Sequence, residues 1–336
     1  MSKAKTTLPG TTDRRITALV TLLAENATIV ISGARIAREI GVSRSTVWRW
    51  VQRLRELGVR AKGHPRTGYF LEKVPDLLTP DMLKTRLKGS LFGKHIHHFL
   101  KIDSTNRVAM ELGYADEPEG AVVIAEEQTA GRGRAGRTWH SERGTGIYVT
   151  LLLRPKISPV QAPLLTMMAG LSARSAIQAQ TDLFLDLKWP NDLMLGGRKL
   201  GGILTEMHAE PTQVRFVSVG IGLNVNQEKF PAEVTSFATS LRAQTGRTHS
   251  RMEVLVRLLR EFENDYNRFL CEGAASVTER FEAVSSYARG KRVNVSNGAE
   301  SYSGVTTGLS PEGLLRVQRD TGETVIVIAG DVKEAS

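Results

Sequence analysis

The chain has 336 residues, 41% hydrophobic and 24% charged. This predicts two or three folded domains, and it excludes extended disorder. It also excludes a membrane span, which needs roughly 18 consecutive apolar residues, and, with Cys271 the single cysteine, a disulfide framework or cysteine-based zinc cluster. The net charge is +10, and it is unevenly placed: residues 1–75 hold 14 Lys+Arg against 5 Asp+Glu, while the rest holds 31 against 30.

A small basic module on a nearly neutral body points to a nucleic-acid-binding head. Met1 to Arg15 has no apolar stretch followed by a cleavage pattern, so no secretory signal is expected and a cytoplasmic location is. Residues 14–31 read as a helix, with Ile16, Leu19, Val20, Leu22 and Leu23 at helical spacing. Ser32 and Ser43 are suited to cap two further helices, with Gly41 in the turn between them. Ala37, Gly41 and Val47 carry the small–turn–apolar spacing of a helix-turn-helix. Ser43 to Leu57 is then the recognition helix, ended by Gly58-Val59. Val47, Trp50, Val51 and Leu54 face inward, leaving Arg44, Ser45, Thr46, Trp48 and Arg49 for DNA. Arg60 to Leu71, with Gly63 and Gly68 at the turn, is expected to be the hairpin of a winged helix. Glu72 to Pro80, with two prolines, reads as a linker, and Thr79-Pro80 as the cap and first position of the next helix.

In the central region Asp103-Ser-Thr-Asn106 is expected to cap a helix, and Ala121 to Ala125 and Gly146 to Leu153 to be buried strands. Between those strands lies Gly131-Arg-Gly-Arg-Ala-Gly-Arg137. Its glycines match G-x-G-x-x-G, yet a polar stretch precedes them and a strand follows, so the dinucleotide-binding reading fails. Three glycines interleaved with Arg132, Arg134 and Arg137 describe instead a flexible cationic loop around a carboxylate or phosphate. Ser158 to Gln180 reads as one long helix. Leu185 to Leu195 reads as a strand interrupted by Pro190, with Gly196-Gly197 turning it into the next. Lys188, Asn191, Asp192 and Lys199 lie on this bent hairpin, and Asn224 ends a further strand that contains Gly220 and Gly222. Arg251 to Phe269 is expected to be a helix. Regular turns over 291–332, including Gly298, predict a small β-barrel. Cys271 is expected to be inert and below the surface. His95, His97 and His98 lack a further ligand type nearby and do not read as a metal site.

The motifs Asp-Ser-Thr-Asn106, Gln128 with the arginine–glycine run, Lys-Trp-Pro-Asn-Asp192, Arg-Lys-Leu-Gly-Gly-Ile-Leu204 and Gly-Ile-Gly-Leu-Asn224, in this order, resemble those of biotin–protein ligases. With its basic head the chain resembles the bifunctional form, a ligase that also represses biotin-synthesis genes. The resemblance implies an α+β multidomain chain. A winged helix-turn-helix spans residues 1–75, a class II synthetase-like mixed α/β ligase domain 76–285, and an SH3-like β-barrel 286–336. It implies that biotin and ATP form biotinyl-5′-AMP, and that a lysine of the biotin carboxyl carrier protein of acetyl-CoA carboxylase then takes the biotin. The adenylate is also the implied co-repressor: its complex, as a homodimer, would bind operator DNA, with no membrane involved.

By the family's pattern, biotin is held by Ser104, Thr105, Asn106, Gln128, Arg132, Gly133, Arg134, Lys199, Gly202, Gly220 and Gly222. ATP is met by Arg134, Arg137, Trp139, Asn191, Lys199 and Asn224. Lys199, Arg134 and Arg132 are the expected catalytic residues, and Asp192 and Asn224 the expected neighbours of Mg²⁺. Asp192 is a weak candidate for the base of the second step. Family members usually carry Gly-Glu-aliphatic near the C-terminus, where this chain has Gly330-Asp-Val332. Arg316, Arg319 and Lys291 are more simply structural than ATP ligands. A biotin-sensing transcription factor without ligase activity is the alternative, and retention of Lys199 and three loop arginines argues against it.

Overall fold

The computed structural model describes residues 11–26, 29–56, 59–72, 76–296, 300–328 and 330–335. Leu57, Gly58 and Gly298 lie outside them. The chain opens with α1 (Thr11–Glu25), α2 (Gly33–Ile40) and α3 (Arg44–Glu56), followed by the hairpin β1 (Ala61–His64) and β2 (Gly68–Leu71). Ser32 accepts from the amide of Arg35 at 3.2 Å, Ser43 from that of Thr46 at 3.1 Å, and Gly41 ends α2 in the left-handed region. Gly63 and Gly68 are required in the wing, because a Cβ on Gly63 would fall 2.0 Å from the Gly68 carbonyl. Ile16, Leu19, Ile36, Val47, Val51, Leu54, Tyr69 and Leu71 form the head's own core, and Trp50 is only half-buried against it.

The first helix is shorter at its C-terminal end than the periodicity of 14–31 predicts. Asn26 donates its side-chain amide to the Leu22 carbonyl and occupies a terminal acceptor of α1. Ile31 is extended and exchanges two backbone bonds with Tyr69, at 2.9 and 2.8 Å, so it joins the wing rather than the helix.

The body begins with α4 (Pro80–Arg86), β3 (Ile96–Phe99), α5 (Thr105–Tyr114), β4 (Val122–Ala125) and β5 (Gly146–Leu153). It continues with α6 (Ala162–Gln178), β6 (Asp186–Lys188), β7 (Asp192–Leu195), β8 (Arg198–Ala209) and β9 (Val214–Asn224). Helices α7 (Leu241–Thr245), α8 (Arg251–Glu272) and α9 (Ala275–Val284) complete it. The strands form one seven-stranded sheet in the order β3-β4-β5-β9-β8-β7-β6, antiparallel except for β3 with β4. Alternate residues divide the two faces. Val122, Ile124, Leu151 and Leu153 join the core under α6 and α8, whereas Val123, Ala125 and Leu152 pack with Val108, Ala109 and Leu112 of α5. Helix α5 has 10 residues and contacts chiefly β4, β5 and β9, leaving the β8–β7 side of its face for a cleft.

Several expectations are corrected. Thr79 precedes α4, with Pro80 at its first position, yet its hydroxyl is buried without a partner among the described residues and does not cap. The long helix is α6 preceded by a single 3₁₀ turn over Pro159–Gln161, where Gln161 accepts from the Ser158 amide at 3.1 Å. The segment Leu185 to Leu195 is two strands, β6 and β7, that turn at Trp189-Pro190-Asn191 and pair Lys188 with Asp192. The Trp189–Pro190 peptide bond is cis. Cys271 is exposed, because α8 directs Leu270 and Cys271 away from the face that buries Phe262, Tyr266 and Phe269.

The C-terminal strands β10 (Arg289–Ser296), β11 (Ser301–Leu309), β12 (Leu315–Arg319), β13 (Thr324–Val327) and β14 (Asp331–Glu334) form an antiparallel sheet in the order β13-β12-β11-β10-β14. Among the described residues no pairing of β13 with β14 closes it into a barrel. Its Val293, Leu315, Val317 and Val332 belong to the same core as α6 and α8, and Trp189 donates to the Gly313 carbonyl at 2.9 Å.

Candidate active site

A cleft of about 590 Å³ opens on the α5 face of the large sheet. Its floor is set by register: Thr150 pairs with Gly220, Gly220 with Leu204, and Gly222 with Gly202. The three glycines give up their side-chain space to neighbours. A Cβ on Gly220 would sit 1.9 Å from Asn106 Oδ1, and one on Gly222 2.6 Å from the Trp139 indole. One on Gly202 would be 3.3 Å from Lys199 Cε. The space expected to serve biotin is filled at these positions by Asn106, Trp139 and Lys199.

One end of the cleft is an uncharged hydrogen-bonding pocket built at the N-terminus of α5. Ser104 is the N-cap, and Gln128 Oε1 accepts from the Thr105 amide at 2.8 Å and its hydroxyl at 3.1 Å. Gln128 Nε2 donates to Ser141 at 2.8 Å, and Thr150 donates to Asn106 Oδ1 at 2.7 Å. Asn106 Nδ2 in turn donates to the Leu204 carbonyl at 3.0 Å and to Glu206 at 2.9 Å. Each polar atom's direction is set by its neighbour, which favours a polar ligand of one shape.

The arginine–glycine loop forms the wall. It is a folded turn, not a slack one: Gly133 N–H donates to Arg137 O at 2.6 Å and Trp139 N–H to Gly131 O at 2.8 Å. Ala135 and Gly136 both take positive φ. Two of the three arginines expected to clamp the ligand's oxygens are already engaged. Arg132 Nη2 meets both Glu206 oxygens, at 2.6 and 2.8 Å, and Arg137 pairs with Asp331. Arg134, between them, makes only a 3.4 Å contact to Asn191 Oδ1 among the described residues. Burial pushes its pKa down, against the pull of Asp192 and Asp331.

At the other end Lys199 Nζ lies 2.5 Å from Asp192 Oδ1 and 5.8 Å from the centre of the Trp139 ring. The Trp139 Nε1 hydrogen is buried without a partner among the described residues. Lys188 also lines the cleft, and burial pushes its pKa down with Lys199 nearby. Asn224 is buried, donates to the Thr239 carbonyl at 3.0 Å and accepts from Gln227 at 3.3 Å. Asp192 and Asn224 are thus both in the cleft, each with one oxygen already in use.

The cleft gathers every expected biotin and ATP residue among its lining. It also shows lining residues that the sequence left out. Lys333 and Asp331 come from β14, far away in sequence. Phe230, Val234 and Phe237 come from a segment that runs beside Lys199, where Lys199 N–H donates to Phe237 O at 2.6 Å. That segment has no regular period, so no sequence signal marked it. Glu206, which bonds the lining residues Arg132 and Asn106 without lining the cleft itself, was missed because a glutamate late in a strand reads as an exposed position. Arg316, Arg319 and Lys291 do not line the cleft; Arg319 and Lys291 pair with Glu300 and Glu334. His95 and His97 face Glu117, His98 faces Glu126, and no cluster able to hold a metal ion occurs among the described residues.

On the head, Arg44, Ser45, Trp48 and Arg49 are exposed and Thr46 is half-buried. Arg44 donates to the Pro65 carbonyl at the wing tip, at 3.0 Å, so it also ties the wing to α3. Ser43 and Thr46 share their hydroxyls at 2.9 Å, so Thr46 is partly spent on the cap.

Comparison with known proteins agrees with this architecture. The family model for the biotin/lipoate A/B protein ligases matches residues 99–226. A helix-turn-helix model matches 15–70, and the biotin protein ligase C-terminal domain model 289–333. The chain is 37% identical to the bifunctional ligase/repressor BirA of Bacillus spizizenii, over 90% of this chain and 94% of that protein. It is 28% identical to the BirA of Escherichia coli, over 86% and 88%. The solved biotin protein ligase from Aquifex aeolicus in complex with biotin and ATP is 29% identical, with a TM-score of 0.63, over 72% of this chain and 100% of that one. The chain belongs to the biotin–protein ligase family, in its bifunctional ligase/repressor group.

Proposed function

We propose that this protein activates biotin with ATP and transfers it to a lysine of a biotin carboxyl carrier domain, and that its head binds operator DNA. The observation that carries the enzymatic reading is the division of one cleft. An uncharged hydrogen-bonding pocket at Thr105–Gln128 runs directly into a cationic end at Arg134, Lys188 and Lys199. That polarity fits an acid with a neutral polar ring at one end and a carboxylate at the other.

In the first step a biotin carboxylate oxygen bonds to the α-phosphorus, and the bond from that phosphorus to pyrophosphate breaks. Two anions meet, so the barrier is electrostatic and positional. In this reading Lys199, at the cationic end of the cleft and oriented by Asp192, bridges carboxylate and α-phosphate. Arg134 supplies the second charge, while Arg132 and Arg137 hold the loop in place. In the second step the acceptor amine attacks the acyl carbon, AMP departs, and the amine loses a proton. Ser104, Thr105 and Gln128 keep the ring fixed through both steps.

The cleft's oxygen donors fit Mg²⁺, which would be held by Asp192 and Asn224. It prefers oxygen ligands and keeps several waters, and Asp192 and Asn224 offer one carboxylate and one carboxamide in the cleft. When bound it would neutralise phosphate charge. The adenylate, by ordering the loops around the cleft, would favour a homodimer whose paired heads match a two-fold operator.

Biotin-dependent exchange of labelled pyrophosphate into ATP tests the enzymatic reading, with lipoate as the control acid. Exchange with biotin alone is expected. No exchange with either acid would overturn the ligase reading and leave a sensor of biotin. Arg134→Gly is expected to release the reactive adenylate, seen as biotin on bystander lysines in a mixture with serum albumin; tight retention would refute the clamp. On the head, Arg44→Ala and Arg49→Ala are each expected to weaken binding to DNA upstream of the biotin-synthesis genes. Each should flatten the salt dependence by about one unit of slope. Arg44→Ala should show the larger loss, because it also frees the wing tip. Unchanged affinity in both variants would reject α3 as the recognition helix.

A further inference from the structure

We infer that Glu206 is a positioning residue that latches the arginine–glycine loop over the biotin pocket and, with the same carboxylate, sets the pocket's hydrogen-bond pattern. The inference rests on reading the cleft as a biotin site.

Glu206 lies on β8 at the rim of the glycine floor, half-buried. Its two oxygens receive Arg132 Nη2 from the loop, at 2.6 and 2.8 Å. One of them also receives Asn106 Nδ2 from α5, at 2.9 Å. The carboxamide of Asn106 is thereby oriented with its oxygen toward Thr150, whose hydroxyl sits 2.7 Å away. Thr150 lies 2.9 Å from the Thr105 hydroxyl, and Thr105 donates to Gln128. A single carboxylate therefore joins loop closure to the donors and acceptors of the pocket. Gly220 makes this possible, since any side chain there would collide with Asn106 Oδ1.

The three loop arginines then divide their work. Arg132 and Arg137 are bound to carboxylates on β8 and β14 and fix the two ends of the turn. Arg134, between them, remains available to a ligand's oxygens. Without Glu206, among the described residues the ion pair of Arg137 with Asp331 would be the one left from the loop arginines to the strands, and the loop would loosen at the biotin end.

Glu206→Gln keeps the size but removes the charge and turns one of the two accepting oxygens into a donor. Three readouts are expected to move. Escape of preformed biotinyl-5′-AMP from the enzyme should quicken about tenfold, the scale of a lost charge-assisted hydrogen bond. KM for biotin in pyrophosphate exchange should rise by a similar factor, with kcat lowered less than about threefold. In the ligand-free protein, trypsin should cut after Arg134 faster than in the parent. Arg132→Gln should reproduce these changes, and the double variant should be no worse than either single one, because both remove one interaction. High salt should speed adenylate escape from the parent more than from Glu206→Gln.

Escape and trypsin cutting within twofold of the parent, or effects that multiply in the double variant, would overturn the latch. Trypsin cutting needs no substrate, so it judges the latch even where the parent shows no exchange with biotin. That latter result would instead overturn the biotin reading. If Glu206→Gln melts early, Glu206→Asp, which keeps the charge but withdraws it by one methylene, is put through the same measurements and is expected to fall between parent and Gln.

Discussion

Replacing Lys199 with alanine is expected to lower biotin-dependent pyrophosphate exchange by roughly 10²- to 10³-fold, the typical loss of one preorganised donor at developing charge. Lys199 is on β8 beside the turn of the β7–β8 hairpin, where its backbone exchanges bonds with Phe237 and Thr239 and its ammonium is pinned to Asp192. The side chain is therefore oriented before substrate arrives, and little reorganisation accompanies the reaction. Lys199→Arg should recover only part of the rate. The planar guanidinium is larger and meets Asp192 and the Trp139 face in a different geometry. Transfer from chemically made biotinyl-5′-AMP to acceptor should suffer less than exchange, because the α-phosphate is by then already joined to biotin. Equal losses in both half-reactions would place Lys199 in general binding and not at the meeting point of the two anions.

The second large effect is on stability. Arg251→Met is expected to destabilise the protein by about 3–5 kcal/mol near neutral pH, the cost of stranding a buried charge. Arg251 is fully buried and donates to Glu126 at 2.8 Å, to Asp76 Oδ2 at 3.1 Å, to the Asp76 carbonyl and to the Gly146 carbonyl at 3.1 Å. Burial alone would push the Glu126 carboxyl up. Arg251, aided by His98, outweighs it and holds the carboxyl down at about 2. A depressed carboxyl contributes stability above its unfolded value and loses it as pH falls toward 2. Without Arg251 burial prevails, the shift changes sign, and protonation relieves the stranded charge. The deficit of Arg251→Met should thus shrink as pH falls from 8 to 5 in urea titrations. Arg251→Met with Glu126→Gln should be more stable than Arg251→Met alone. A deficit independent of pH would show that Arg251 acts by packing and not by charge.

This cluster also shows where reading the chain stops. Arg251 stands at the first position of α8, next to the Ser250 cap, where a cation opposes the helix dipole. Local rules therefore argue against it. Its reason lies 175 residues away, in Asp76 of the segment read as a linker, and at the end of β4 in Glu126. That segment is no loose tether near the body: Leu78 is buried in the main core and its amide donates to Glu126 at 2.8 Å.

What was local in cause was legible. The Ser32–Gly41–Ser43 pattern, the wing turn, the Gly196-Gly197 hairpin and the eight-residue strand Gly146 to Leu153 follow from caps, positive-φ glycines and apolar runs. The arginine–glycine loop could be named because its residue types suit carboxylate and phosphate, whereas Ser104, Thr105, Gln128 and the three glycines were named through the resemblance to biotin–protein ligases. The sequence by itself thus determined the order of domains, the chemistry of the cleft and the charge of the head. Tertiary structure alone decided which of those residues are already engaged by protein partners. Strand register placed Gly202, Gly220 and Gly222 beneath Asn106, Trp139 and Lys199. Carboxylates from distant strands, Glu206 and Asp331, took Arg132 and Arg137, while Arg134 kept only a 3.4 Å contact to Asn191 among the described residues. Ion pairs between residues 74 and 194 positions apart leave no period or spacing in a chain, because they arise only when packing brings the partners within reach.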